Sequence, residues 1–185
     1  MKRRMRSAVL PTILAAFVLL LAACGERTGT PKASGQPSDH SEFVYAGFIV
    51  GMEGNRILVT GSVEKDFSAN GGASHYYEAT WFSNAGSGLE VGQRVRVWPE
   101  GGIAESYPGQ GKASRVEVVE PPKAEGADLT EAEAIRKALE APRGSGMFPP
   151  AVKAAEYEAE SGRWRIELAQ NGDAGTAVIE VPDRL

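Results

Sequence analysis

The chain has 185 residues, of which 20 are basic and 24 acidic, for a formal net charge of −4. An apolar content of 42% is enough to build a core and excludes wholesale disorder, while the acidic balance leaves no basic footprint for a nucleic-acid partner. One cysteine excludes an intramolecular disulfide framework and any multi-cysteine metal site, and two histidines add little material for metal or nucleophile chemistry.

Residues 1–6, MKRRMR, carry Lys2, Arg3, Arg4 and Arg6 and no acid. Ala8 to Ala23 follow without charge, and only Pro11 and Thr12 among them are not apolar. A positive start, an apolar run and small residues before a cut describe a secretory signal peptide over residues 1–23. The run falls short of the roughly 20 residues that a spanning helix needs. Its end, Leu21-Ala22-Ala23-Cys24, resembles the lipobox of bacterial lipoproteins. The resemblance implies that Cys24 is diacylated, with palmitate-type chains, that the chain is cut before it, and that the product sits on the extracytoplasmic face of the cell membrane. Two acyl chains anchor stably, since each buried methylene contributes about 0.8 kcal/mol. Gly25 stands where an Asp would resemble an inner-membrane retention signal. Without residues 1–23 the chain keeps 16 basic against 24 acidic residues, net −8, so the lipid must hold it at an anionic leaflet without help from a basic patch.

Residues 24–42, CGERTGTPKASGQPSDHSE, have no apolar periodicity and read as a flexible tether that includes a solvated His40. A coil of this length reaches roughly 25 Å. Residues 43–120 read as all-β. Strands are expected at 43–50 (FVYAGFIV), 57–60 (ILVT), 75–82 (HYYEATWF), 94–98 (RVRVW) and 115–119 (RVEVV), with glycine-rich turns between them. Alternation in RVRVW puts Val95 and Val97 in the core and Arg94, Arg96 and Trp98 on the other face. Five short strands with long loops suggest a small OB-like barrel, although strand count alone leaves a small sandwich open.

The run YAGFIVGMEGNRILVTG, then YYEATWFS, then GLEVGQRVRVWPEGGIAESYPGQGKASRVEVVE resembles the YobA-like lipoproteins of bacilli. The markers are Gly92 with Val95 and Val97, and Ile103 with Ser106-Tyr107-Pro108. The resemblance implies a lipid-anchored extracytoplasmic protein with a small β-barrel. It implies no substrate, cofactor or catalytic residue, because the activity of that family is not known.

Pro121-Pro122 marks a boundary before a second segment, residues 123–185. Thr130 and Glu133 form a capping-box pattern that opens a helix through Leu139, with Leu129, Ala132, Ile135 and Leu139 as a narrow apolar stripe. Strands are expected at 151–158, 164–169 and 176–181, separated by the turn signals Glu160-Ser161-Gly162 and Asn171-Gly172. The resulting α-β-β-β order, a small α+β domain, resembles a PepSY module, which implies regulation of a peptidase. A segment this short is marginal as an independent core and is expected to need the barrel, whereas residues 43–120 are expected to fold alone.

Motifs for catalysis are sparse. Ser62-Val63-Glu64-Lys65 matches S-x-x-K, but Ser62 follows a strand rather than opening a helix. Gly86-Ser87-Gly88 with Gly92 misses the dinucleotide spacing. His75 reads as a rim histidine, and Glu131 with Glu133, or Glu156, Glu158 and Glu160, read as solvated faces. No catalytic residue, metal site or cofactor is assigned. The expected function is a non-enzymatic envelope binding module for a cell-wall polymer or an envelope protein, with no nucleic-acid partner; the alternative is a peptidase regulator acting through the C-terminal segment. Arg94, Arg96 and Trp98, with Tyr107 near them, are the candidate ligand face, because an aromatic beside arginine suits a sugar or an anionic wall polymer.

Overall fold

An unbroken apolar run makes a strand that can be buried on both faces, and Tyr45–Glu53 (β1) is such a strand. Tyr45 and Ile49 point into one core and Phe48 and Val50 into another. The computed structural model describes residues 43–142, 148–172 and 175–184. The leader, Cys24, His40 and the tether lie outside the described residues.

Around β1 the chain builds a closed barrel in the order β1-β2-β3-β5-β4, from Arg56–Thr60 (β2), Ala79–Ser83 (β3), Arg94–Pro99 (β4) and Gly109–Val118 (β5). All neighbours are antiparallel except β3 and β5, which run parallel from Thr80↔Gly109 to Ser83↔Lys112. Ile49, Ile57, Val59, Phe82, Val95, Val97 and Ala113 fill the interior. Val95 and Val97 are therefore core residues, as their alternation requires.

Two strands differ from the sequence reading. The third begins at Ala79: Glu78 still accepts from Gly61 N at 2.8 Å just beyond β2, but before it the chain leaves the barrel and Tyr76 bridges Lys65 instead. The fifth begins at Gly109 rather than Arg115. Its first residues, Gly-Gln-Gly, look like a turn but sit against β3. A Cβ on Gly111 would lie 3.1 Å from the Phe82 ring, so this part of the strand has no side chain to contribute to an apolar pattern.

After the barrel comes one helix, Glu131–Glu140 (α1), then an antiparallel sheet β6-β7-β8 made of Ala151–Glu158, Arg163–Ala169 and Thr176–Pro182. The capping box at the helix start is complete: the Thr130 hydroxyl accepts from Glu133 N, and the Glu133 carboxylate accepts from Thr130 N at 2.8 Å. Ala134, Ile135 and Ala138 of α1 pack with Val152, Trp164, Ile166, Leu168 and Val181 of the sheet, and Phe48 of β1 joins the same core at 3% exposure. All described residues fall in one compact unit. The architecture is mostly β: a closed five-stranded barrel with a three-stranded sheet and one helix.

Two contacts fasten the helix. Gly92 has φ +96°, and a Cβ there would lie 2.1 Å from the Ala132 carbonyl oxygen, so only glycine allows α1 to approach the barrel at this point. Asp183, 4% exposed, ties the C-terminal strand to the helix entry. Its carboxylate accepts from Asp128 N at 2.7 Å, Leu129 N at 2.9 Å and Trp164 Nε1 at 3.2 Å. Desolvation works to raise the Asp183 pKa, but the donors from Asp128, Leu129 and Trp164, with Arg184 nearby, hold it below the usual range.

Two predictions follow from this packing. Phe48→Ala should cost about 3–5 kcal/mol in chemical unfolding of the whole chain, yet far less in residues 43–120 alone, where the ring already faces water. Equal costs in both would show that Phe48 serves the barrel and not the shared core. Because the folded-state pKa of Asp183 is depressed, its contribution is present above the unfolded value of about 3.9 and is lost as pH falls through the folded value. Wild-type stability should therefore decline more steeply in that acid window than stability of Asp183→Asn, as a pH series of unfolding midpoints would reveal.

Candidate functional site

The four ligand-face residues expected from sequence do not gather into one surface. Arg94 lies over the Phe48 ring, 4.7 Å from its centroid, and its Nη2 donates to both carboxylate oxygens of Glu131 at 3.1 and 3.2 Å. Arg96 pairs with Glu117 at 3.4 Å. Trp98 keeps the outward parity but is only 8% exposed, because Arg115 stacks on it with its guanidinium 3.5 Å from the ring centroid. This face is a ladder in which the cations already have partners. A cleft of about 470 Å³ opens beside it, between Gln93, the linker at Pro121-Pro122 and the start of α1. Arg94 and Lys123 line it with Glu90, Glu120, Glu131 and Glu133, so carboxylates outnumber cations there.

Tyr107 belongs to a different surface. Its ring is 5.7 Å from Tyr76 on one side and 5.3 Å from Phe148 on the other, and Tyr76 in turn is 5.3 Å from Phe67. The four rings form a row, with successive planes inclined at 68°, 60° and 78°. The ends of the row are open: Phe67 is 41% exposed and Phe148 39%. Burial pushes the Tyr107 phenol up to about 12, and its hydroxyl donates to the Tyr77 carbonyl at 3.3 Å.

Local backbone explains the row. Lys65 and Tyr76 exchange backbone hydrogen bonds, Lys65 N to Tyr76 O at 2.8 Å and Tyr76 N to Lys65 O at 3.0 Å, so residues 64–67 and 75–78 form a two-stranded ribbon outside the barrel. Alternation along this ribbon puts Lys65, Phe67, Tyr76 and Glu78 on one side and Glu64, His75 and Tyr77 on the other. On the first side Lys65 and Glu78 form an ion pair. Burial raises the Tyr76 phenol, and the Glu78 charge raises it further.

The second side is fixed to the C-terminal sheet. Glu64 accepts from the Tyr77 hydroxyl at 2.6 Å, pairs with His75 Nδ1 at 2.7 Å and lies 3.8 Å from Lys153 of β6. The Tyr77 bond, then the His75 bond, holds the Glu64 carboxyl below its usual range. Asn171, in the β7–β8 turn, accepts from Tyr77 N and donates to Tyr77 O at 3.0 Å, while Gly172 N donates to His75 O at 2.8 Å. His75 thus sits at a rim, engaged by Glu64. Ser62 follows β2, and the Lys65 of its S-x-x-K pattern is engaged with Glu78. Among the described residues no group of three or more His, Cys, Asp or Glu is placed to hold a metal, and no helix is long and apolar enough to cross a membrane.

Phe67, Tyr76 and Phe148 were not among the residues singled out from sequence. The signal available for Phe67 and Phe148 was an aromatic in a segment rich in turn residues, DFSANGG and GMFPP. The segments that carry them are joined by contacts remote in sequence, such as Asn171 with Tyr77, 94 positions apart.

Residues 46–120 match a family described as a protein of unknown function (DUF3221). No curated protein and no solved structure matches the chain. The matched region covers the barrel and the ribbon but stops before Phe148 and Asn171, so the row combines the matched domain with the segment that follows it.

Asn171→Ala should leave the Tyr77 backbone, in a residue 2% exposed, without its amide partner. The expected loss is about 1–3 kcal/mol in unfolding free energy, read as a lower denaturant midpoint at unchanged slope. An unchanged midpoint would show that this amide does not hold the ribbon to the sheet.

Proposed function

We propose that the chain is a lipid-anchored extracytoplasmic lipoprotein of the YobA-like kind, acting as a non-enzymatic binding module of the cell envelope through the aromatic row Phe67–Tyr76–Tyr107–Phe148. The single observation that carries the binding reading is that row: four adjoining rings in loops, left partly in water at the junction of two segments, where ligand sites concentrate. The barrel order and the parallel β3–β5 pair support an OB-like reading, and such barrels take oligonucleotides and oligosaccharides on their loops and strand faces. With a net charge of −8 after cleavage, oligonucleotides are the poorer fit. Cys24 supports the anchor, since the lone thiol closes LAAC.

A second reading, regulation of an extracytoplasmic peptidase through a PepSY-like segment 123–185, is favoured by the edge strand β8. Thr176, Ala177 and Val178 are exposed there, and an extended peptide could add to that edge.

Labelled palmitate should enter the wild type and not Cys24→Ser, which should also leave the membrane fraction; label persisting in the Ser variant would overturn the anchor. For binding, the chain from residue 25 onward should be retained on isolated cell envelope. Phe67→Ala with Phe148→Ala should reduce retention, whereas Arg94→Ala with Arg96→Ala should not. The opposite ranking would return the site to the β4 face, and recovery of a peptidase by the wild type, lost on altering β8, would favour the second reading.

A further inference from the structure

The row and its surroundings also define the chemistry of the ligand. Resting on the binding-module reading above, we infer that the aromatic row is a platform for an uncharged, hydroxyl-rich glycan chain.

Three features of the surface select this class. The first is its charge. The side of the ribbon that carries the rings has one cation and one carboxylate, Lys65 and Glu78, already paired with each other. The arginines of β4 and β5 are likewise paired or stacked, and the chain after residue 23 is net −8. A polyanion meets no unpaired positive field and pays repulsion. A neutral polyol meets a donor and an acceptor side by side, which suits adjacent hydroxyls that both donate and accept.

The second feature is shape. Successive rings are steeply inclined, edge to face at the two ends (68° and 78°) and tilted at 60° between Tyr76 and Tyr107, so they do not stack into a sandwich that would hide their faces from one another. A sugar ring has C–H groups on its faces and hydroxyls around its rim. It can lay the former on an aromatic face and turn the latter to Lys65, Glu78 and water. The row is one ring wide and four rings long, which matches a linear chain of rings.

The third feature is area. A stable protein partner needs roughly 800 Å² from each side, and four rings of about 150–250 Å² each, none more than 41% exposed, leave at most about 400 Å² to cover. The chain's own tether is also a poor occupant. Residues 24–42 hold no aromatic and no large aliphatic residue with which to cover the rings.

The test is calorimetric titration of the chain from residue 25 onward with a linear N-acetylglucosamine hexasaccharide. The monosaccharide, a poly(glycerol phosphate) and isolated envelope protein serve as the other arms. Expected are saturable binding of the hexasaccharide that added salt does not weaken, much weaker binding of the monosaccharide, and about a two- to tenfold loss for each of Phe67→Ala and Phe148→Ala, the range of a single aromatic contact. Phe67→Leu and Phe148→Leu keep apolar bulk, remove the ring face and should also weaken binding, which separates the loss from misfolding. Salt-sensitive binding of poly(glycerol phosphate), or binding of envelope protein alone, would overturn the glycan and leave the binding module standing. Hexasaccharide binding that survives all four substitutions would overturn the platform. No binding in any arm would overturn both the glycan and the module.

Discussion

The two-sided burial of β1 is the constraint on which the rest of the fold depends. A five-stranded barrel of this size needs only the inward residues of each strand, and in β1 those are Tyr45 and Ile49. Phe48 and Val50 point the other way, and a phenylalanine on a barrel's outer wall is a large apolar area to leave in water. The helix and the sheet β6-β7-β8 cover it. Gly92 then has to be glycine, since the helix backbone lies against it, and Arg94 finds both an aromatic face and Glu131. The barrel and the C-terminal segment are joined by a common core, and Asp183 closes that core at the far end of the chain.

This common core has a consequence for the surface. Once the sheet is held against β1, its β7–β8 turn stands beside the ribbon 64–78, and Asn171 takes both backbone groups of Tyr77. The ribbon is then fixed from behind by the Glu64 cluster, so the side chains of opposite parity, Phe67 and Tyr76, have a single direction left to them. Tyr107 from the β4–β5 loop and Phe148 from the approach to β6 complete the row. Hydrogen bonds on one side of a two-stranded ribbon thus order aromatic rings on the other.

Much of this fold was legible in the amino-acid pattern. The continuous run at β1, the strict alternation of RVRVW, the T-x-x-E box and the Asn-Gly turn each carry a local physical signal, and the elements they predict are present. What was not legible was long-range. The glycines of β5 read as a turn because their role is to let β3 approach, a property of the neighbour and not of the strand itself. The third strand starts later than its side chains suggest because residues 75–77 are strand-like but lie outside the barrel, where Tyr76 bridges Lys65. The β4 face looked like a site because alternation reports which way a side chain points and not what pairs with it; Glu117, Glu131 and Arg115 come from elsewhere in the chain.

The same distinction bears on how a cationic surface is read in an acidic protein. With acids in excess, an arginine on an exposed strand face meets a carboxylate more readily than it stays unpaired, and the β4–β5 face realises this with Arg96 and Arg115 both next to Glu117. Such exposed pairs contribute little to stability, about 0–1 kcal/mol each, but they remove the field that an anionic ligand would follow. Aromatic rings are not neutralised in this way. A ring in a loop keeps its apolar face whatever the net charge, and covering it remains favourable at about 25 cal/mol per Å². In a chain of net −4 an apolar surface of this kind keeps what a paired cationic face loses, and the row from Phe67 to Phe148 is such a surface.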